Sequence, residues 1–331
     1  MDSPNSPNDS SIAFSSRKRT AEEDDLMAMA TPLKRLRFTP SKRPYTYTLP
    51  DSVMYYIAKN ATSPAFYQKL VKACKYIFEK NPVLCTDWIF IPRGKSELTA
   101  EFYETNVSLK DILKKDDSMA LAMPLKKLWI TGDFTVDPGT PIRNDFVSSF
   151  IPRIHRIAVQ YLDFCDQILS LEEFLFLTPN VERVQFENLT VKNRDGTELA
   201  FVKLLEILPK VWSFTYFIKE NDKTVTSKTV EEMLKLPNFS MMGEFRLFNV
   251  PETFDVEAFF THMKKCKNTM FQLRFSNSIS QAYKNRLETI IDEIIDAETH
   301  GYIAPMIYFD DMDQERFDDL SKICCDTGFF Y

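Results

Sequence analysis

The chain has 331 residues, 44% of them hydrophobic and 27% charged, with a formal net charge of −6. That length accommodates two ordinary domains or one long array of repeated units, and the acidic balance tells against nucleic acid as a partner. Seven glycines against 28 phenylalanines argue against glycine-rich phosphate-cradling loops and for aromatic packing.

Residues 1–43 are rich in Ser, Pro and charge and poor in aromatics, so this tail is expected to be disordered. It holds eight Lys/Arg and six Asp/Glu, leaving about −8 for the remainder. Two basic clusters, Arg17-Lys18-Arg19 and Lys34-Arg35-Leu36-Arg37, have the character of a nuclear-import signal, the alternative being a merely solvating tail. Lys34-x-Leu36-x-Phe38 resembles a cyclin-docking motif beside proline-directed sites at Thr31-Pro32 and Thr39-Pro40, which makes a cyclin-kinase a candidate partner of the tail. Residues 1–11 lack the apolar core of a secretory signal, and no run approaches the ~20 apolar residues of a membrane span. Cys74, Cys85, Cys165, Cys266, Cys324 and Cys325 form no C-x-x-C pair and read as free thiols of a reducing compartment. An intracellular protein, cytoplasmic or nuclear, is expected, with no membrane partner.

Residues 44–85 predict a helical segment. Its first helix begins at Pro50 and Asp51 with Val53, Tyr56 and Ile57 on one face; its second follows Ser63-Pro64 and carries Phe66, Leu70 and Cys74 at helical spacing. Residues 86–124 form a connecting region with a short strand at 88–91 and a polar insert. From Leu125 onward an apolar-x-x-apolar-x-apolar pattern occurs seven times, at Leu125/Leu128/Ile130, Ile154/Ile157/Val159, Val181/Val184/Phe186, Val211/Phe214/Tyr216, Met242/Phe245/Leu247, Met270/Leu273/Phe275 and Ile303/Met306/Tyr308. Helix-period stretches follow most of them, at 165–177, 198–208, 229–236, 256–265, 280–297 and 313–325, with Thr197 and Asp255 as N-cap candidates. A strand and a helix repeating every ~30 residues predict that 125–331 is an α/β leucine-rich-repeat-like solenoid, a horseshoe. A generic α/β domain with parallel strands is the alternative.

Leu49, Pro50, Val53 and Ile57, followed by Leu70, Cys74 and Tyr76, resemble an F-box, with a departure at the linker Asn60-Ala61-Thr62-Ser63. An F-box before such repeats is similar to the nematode-expanded F-box-like / leucine-rich-repeat proteins. The resemblance implies a substrate-recruiting role: those seven residues would dock on the Skp-type adaptor of a cullin–RING ubiquitin ligase, and the repeats would hold a protein substrate. The alternative is a repeat-based protein-binding module with no ligase link.

If the triplets are strands, the residues between their apolar members face the opposite side. Lys127, Trp129, Arg156, Arg183, Gln185, Phe217, Arg246, Phe248 and Arg274 are thus the candidate substrate-binding residues, rich in the arginines and aromatics that anchor interfaces. Catalysis finds no support. His155, His262 and His300 stand apart without metal-ligand spacing, and no G-x-S-x-G, H-E-x-x-H or P-loop occurs. No cofactor or metal is expected, and the protein is not expected to be an enzyme.

Overall fold

The structure, a computed structural model, describes residues 49–91, 99–102, 127–137, 144–220, 222 and 224–328. The expected tail at 1–43, its basic clusters and its docking motif lie outside them.

Three short helices come first: α1 (Asp51–Lys59), α2 (Pro64–Ala73) and α3 (Lys75–Lys80). Ser63 caps α2 by accepting a hydrogen bond from Phe66 N at 3.1 Å, with Pro64 at the first helical position. Strands β1 (Val83–Ile91), β2 (Thr99–Phe102) and β3 (Lys127–Val136) follow, so the sheet begins inside the segment assigned to helices. Next come α4 (Phe146–Phe150), β4 (Ile154–Ile157), β5 (Tyr161–Cys165), β6 (Ile168–Ser170), α5 (Leu171–Leu177), β7 (Arg183–Glu187) and β8 (Thr190–Lys192). The chain then alternates: α6 (Phe201–Glu206), β9 (Ser213–Phe217), α7 (Thr229–Met233), β10 (Glu244–Val250), α8 (Val256–Met263), β11 (Met270–Phe275), α9 (Gln281–Ile295), β12 (Met306–Tyr308) and α10 (Gln314–Asp326). Asp255 does cap α8, whereas Thr197 only closes a turn with Asp195 and α6 starts four residues later.

Among the described residues the strands form one ten-stranded sheet in the order β12-β11-β10-β9-β7-β5-β3-β1-β2, with β4 pairing β3 off that path; β6 and β8 pair separately. All its pairs are parallel except β1–β2. Phe134, Leu162, Val184, Phe214, Phe245 and Phe271 stand side by side in one register row. Val136, Phe164, Phe186, Tyr216, Leu247, Leu273 and Ile307 make the next row on the same face. All thirteen are buried, and helices α5 to α9 close over them. Ring contacts tie the layers: Phe174–Phe186, Phe201–Phe214, Phe245–Phe259 and Phe275–Tyr283, with centroids 5.6–6.1 Å apart. Gly132 is obligatory where the β1–β3 pairing shifts register at Asp87, since a Cβ there would lie 2.3 Å from the Asp87 carbonyl oxygen.

The leucine-rich-repeat horseshoe is therefore corrected. The chain builds an α/β fold around an open, mostly parallel central sheet. A thirty-residue period reports a strand plus a crossover, which an ordinary parallel sheet also produces. A regular repeat coil adds a recurrent asparagine ladder, which the sequence lacks. Left-handed turns do occur at Asp166, Asn188, Asn249 and Asp311, and two of them bond back to the preceding unit, Asn188 Nδ2 donating to Asp166 Oδ1 at 3.0 Å and Asn249 Nδ2 to the Ile218 carbonyl at 2.8 Å, but these two bonds do not repeat at a fixed position along the array. The units are also unequal, because β4 and β5 both pair with β3.

Two triplets are corrected with it. The main-path strand after β3 is Tyr161–Cys165, not the Ile154/Ile157/Val159 triplet, which supplies only the short β4. At β12 the inward place belongs to Ile307, while Met306 meets Cys324 of α10 (Sδ–Sγ 3.9 Å) and Tyr308 packs edge-on to Phe317, centroids 5.9 Å apart.

Candidate interaction surfaces

Helix α1 carries apolar residues on two sides. Met54 and Ala58, four residues apart, join Ala61, Tyr67, Ile77, Val83, Cys85 and Trp129 in a small second core. Val83, Cys85 and Trp129 alternate with the core residues Leu84, Leu128 and Ile130, so this cluster lies on the side of the sheet away from α5–α9. Tyr67 is pinned there: its hydroxyl donates to the Asn81 carbonyl at 2.5 Å and accepts from Val83 N at 3.2 Å. Burial pushes its phenol up to about 12.

The other side of the helical pair faces solvent. Leu49, Val53 and Tyr56 fall on one stripe and are 46%, 39% and 67% exposed; Phe66 of α2 is 44% exposed. Ile57 is half-buried, Pro50 is exposed, and Leu70, Cys74 and Tyr76 pack partly against the small core. The seven F-box-like positions thus divide between an outward ridge and a seat on the sheet.

The open face of the sheet is organised in rows too. Asp133, Tyr161, Arg183, Ser213, Glu244 and Met270 form one. Thr135, Asp163, Gln185, Thr215, Arg246 and Gln272 form the second, and Cys165, Glu187, Phe217, Phe248, Arg274 and Tyr308 the third. Its two ends differ in character. On β3, β5 and β7 lie Asp133, Asp163 and Glu187, with Asp137 just beyond β3, and beside them Arg183, which lies over the Tyr161 ring at 4.9 Å. Burial, with Asp137 and Glu187 adding to it against an opposing hydrogen bond from Tyr161, pushes the Asp163 carboxyl up to about 7. That bond is long, Tyr161 Oη to Asp163 Oδ2 3.4 Å. Asp133 is raised as well, mainly by burial.

At the other end Phe217 and Phe248 stack face to face, centroids 4.4 Å apart at 12°. They border a cleft of about 620 Å³ at the carboxyl ends of β9, β10 and β11, lined also by Lys219, Asn249, Arg274 and Ser276. Carboxyl ends of parallel strands are the usual ligand position in open α/β sheets. Arg274 donates to Asp310 at 3.2 Å and leans on Tyr308; Lys219 is held by Thr190 at 2.7 Å and by Glu198.

Of the expected substrate-binding residues, Arg183, Gln185, Phe217, Arg246, Phe248 and Arg274 do share this face, and Lys127 lies exposed at the start of β3. Phe248 is buried under its stack, and Arg246 is paired with Glu244. Trp129 and Arg156 are corrected: both are absorbed in seating the helical pair. Trp129 is only 6% exposed, and the Arg156 guanidinium lies over it at 4.7 Å while donating to the carbonyls of Lys59 at 2.6 Å and of Ala61. Sequence reasoning missed Tyr161 and Asp163 because the apolar pattern was followed to Val159; the alternation Leu162, Phe164 was the signal for a strand just beyond it.

His262 Nε2 on α8 lies 3.2 Å from Sγ of Cys266, just beyond the end of that helix. Burial lowers the imidazole and raises the thiol, the reverse of the shifts that activate a nucleophilic cysteine. Among the described residues no group of three His, Cys, Asp or Glu side chains could hold a metal, and no helix is long and apolar enough to cross a membrane. No protein-family model, no curated protein and no solved structure matches the chain.

Proposed function

We propose that this chain is a substrate-recruiting adaptor of a cullin–RING ubiquitin ligase. The helical pair docks on a Skp-type adaptor, and the open sheet face holds a protein substrate. The reading rests on one observation above the others: the pair presents an apolar stripe to solvent, Leu49, Val53 and Tyr56 with Phe66 beside it, after its opposite side has already been used against the sheet. Amphipathic helices with such a spare face dock into apolar grooves on partners. The F-box-like positions Leu49, Pro50, Val53 and Ile57 fall on or beside that stripe, which favours this partner over a generic one. Adaptor and substrate would be brought together by tethering, which raises effective concentration without chemistry in this chain.

The test is binding of the full chain to a purified Skp-type adaptor, with Val53→Asp, and with Leu49 and Pro50 both changed to Ala. Wild type should bind, and each variant should lose binding with its circular dichroism unchanged. A charge at Val53 would meet an apolar groove without a counter-ion. Wild-type protein that never binds the adaptor would leave a protein-binding module with no ligase link.

A further inference from the structure

The cleft at the carboxyl ends of β9, β10 and β11 has two unlike walls and an aromatic border. The half-buried ring of Phe217, stacked on the buried Phe248, forms that border. The wall after β9 carries Lys219, Glu220 and Asp222, and Lys219 is already engaged by Thr190 and Glu198. The wall at the end of β11 carries Arg274, Ser276 and Ser278. Asp310, at 3.2 Å, and the Tyr308 ring hold the Arg274 guanidinium in place. Among the described residues Asp310 is the only acceptor of that guanidinium, so most of its five N–H donors remain for a ligand. Ser276 and Ser278 share one hydrogen bond, Oγ to Oγ 2.9 Å, which leaves the second hydroxyl proton to spare. The sheet fixes the spacing. Phe217, Phe248 and Arg274 sit on successive strands of one register row, so Arg274 stands one to two strand steps, about 5–10 Å, from the stack. Within a single aromatic residue the ring and its own carboxylate lie about 5 Å apart by ordinary bond lengths, and a hydrogen bond extends that reach by about 3 Å. The two spans agree. A further residue between ring and carboxylate adds ~3.3 Å and carries the carboxylate past Arg274.

We propose that this cleft receives the C-terminal residue of a partner protein, an aromatic one, with its ring against the Phe217–Phe248 stack and its free carboxylate on Arg274 and the Ser276–Ser278 hydroxyls. A guanidinium and a carboxylate make charge-assisted hydrogen bonds, stronger than neutral ones, and an internal segment of a chain has no carboxylate to offer at that place. Glu220 and Asp222 on the opposite wall repel a carboxylate, which fixes the orientation of the residue. The ring gains by packing on an aromatic pair already held together, which needs no reordering of the site. At about 620 Å³ the cleft is in the range that takes a drug-sized ligand, so the residue before the last fits as well. The partner chain then leads out over the open face, where Thr215, Arg246 and Gln272 form the adjoining row. This deepens the substrate half of the proposed function and rests on that reading for its biological role; the recognition chemistry stands apart from the ligase link.

The experiment uses the full chain and Gly/Ser peptides labelled with a fluorophore at the amino end, read by anisotropy. One peptide ends in tryptophan with a free carboxylate; the others end in tryptophan amide, in tryptophan followed by one glycine, or in serine. The free-acid tryptophan peptide should bind at least about tenfold more tightly than each of the others, a difference of about 1.4 kcal/mol. This comparison needs only the wild-type chain. Arg274→Gln should then remove the preference for acid over amide, Arg274→Lys should restore part of it, and Phe217→Ala should remove the preference for tryptophan over serine, with melting curves confirming that each variant is folded. Equal binding of acid and amide, equal binding of the glycine-extended peptide, no peptide binding at all, or folded variants that discriminate like wild type would each overturn the proposal. N-acetyltryptophan competing as well as the peptide would overturn it too, by assigning the cleft to a small aromatic acid. Adaptor binding measured on the same preparation keeps the two readings apart: terminus-dependent peptide binding without adaptor binding would sink the ligase reading alone, and the converse this one alone.

Discussion

The two faces of this sheet are built to different specifications. The inward face is two rows of Phe, Leu, Val, Ile and Tyr, buried under α5–α9. The outward face alternates charge, amide and aromatic ring, and α1–α3 cover it only at the β1–β3 end. Side chains on a strand alternate, so the same seven or so strands must satisfy both demands at once. The inner rows hold the fold, which leaves the outer rows free to carry residues that do nothing for stability or even oppose it. The raised carboxyl of Asp163 is a residue of that second kind.

The sharpest way to break this division is to cut the inner row. Phe245 is fully buried and touches the rings of Phe214, Phe239, Phe259 and Phe271, so it bridges three strands and a helix. Phe245→Ala should cost about 3–5 kcal/mol by cavity formation, seen as a lower denaturation midpoint. A loss below about 1 kcal/mol would mean that the inner rows are not where stability resides.

The outer face should behave in the opposite sense. The Asp163 carboxyl is raised from 3.8 to about 7 in the folded chain, so its contribution to stability is fully present below about pH 4 and is lost as pH rises through about 7. At ~1.4 kcal/mol per unit, less an allowance for partial exposure, wild type should lose about 2 kcal/mol between pH 5 and pH 7 through this group. Asp163→Asn should abolish that slope and be the more stable protein at pH 8, as denaturation series at several pH values would register. A variant less stable than wild type at pH 8 would show that the acid is structural.

How much of this was legible beforehand follows from the same two faces. The inner rows announce themselves, because Val184/Phe186, Phe214/Tyr216 and Phe245/Leu247 alternate in continuous apolar pairs that only a strand explains. Their stacking order followed from the spacing. Three things did not follow. The period could not tell an open parallel sheet from a coil of repeats, since both alternate strand and helix. The pattern held Met306 and Tyr308 to be inward, but α10 packs against both and leaves the inner row to Ile307. Trp129 and Arg156 looked like binding residues because arginine and tryptophan are common at interfaces, yet α1 and α2 supply an interface within the chain. Periodicity names the face a residue points to. It does not name what lies there.

Arg156 sharpens that last point with a smaller effect. It links β4 to the end of α1 and the turn after it by two charged hydrogen bonds to the backbone carbonyls of Lys59 and Ala61. Arg156→Ala should cost about 1–2 kcal/mol, and only locally. Hydrogen exchange should quicken in residues 51–80 while β7 to β11 keep their protection. Faster exchange throughout would mean that the helical pair and the sheet are one cooperative unit.

The smallest stability effect belongs to the ridge, and that is its point. Tyr56 is 67% exposed and Val53 39%, against the buried Met54 between them in sequence. Replacing Tyr56 and Val53 together with Ser removes apolar surface that already faces water, so the folded chain should change by less than about 0.5 kcal/mol per site. Met54→Ser, one residue away, puts a hydroxyl into the small core and should loosen the helical pair from the sheet. If the proposed function is right, the outcomes invert in a binding assay: the silent Tyr56/Val53 pair abolishes adaptor binding outright. A stripe that is dispensable for folding and indispensable for binding is what a docking helix must have. Equal destabilisation by all three substitutions would show the ridge to be part of the fold, and the distinction between the two sides of α1 would fail.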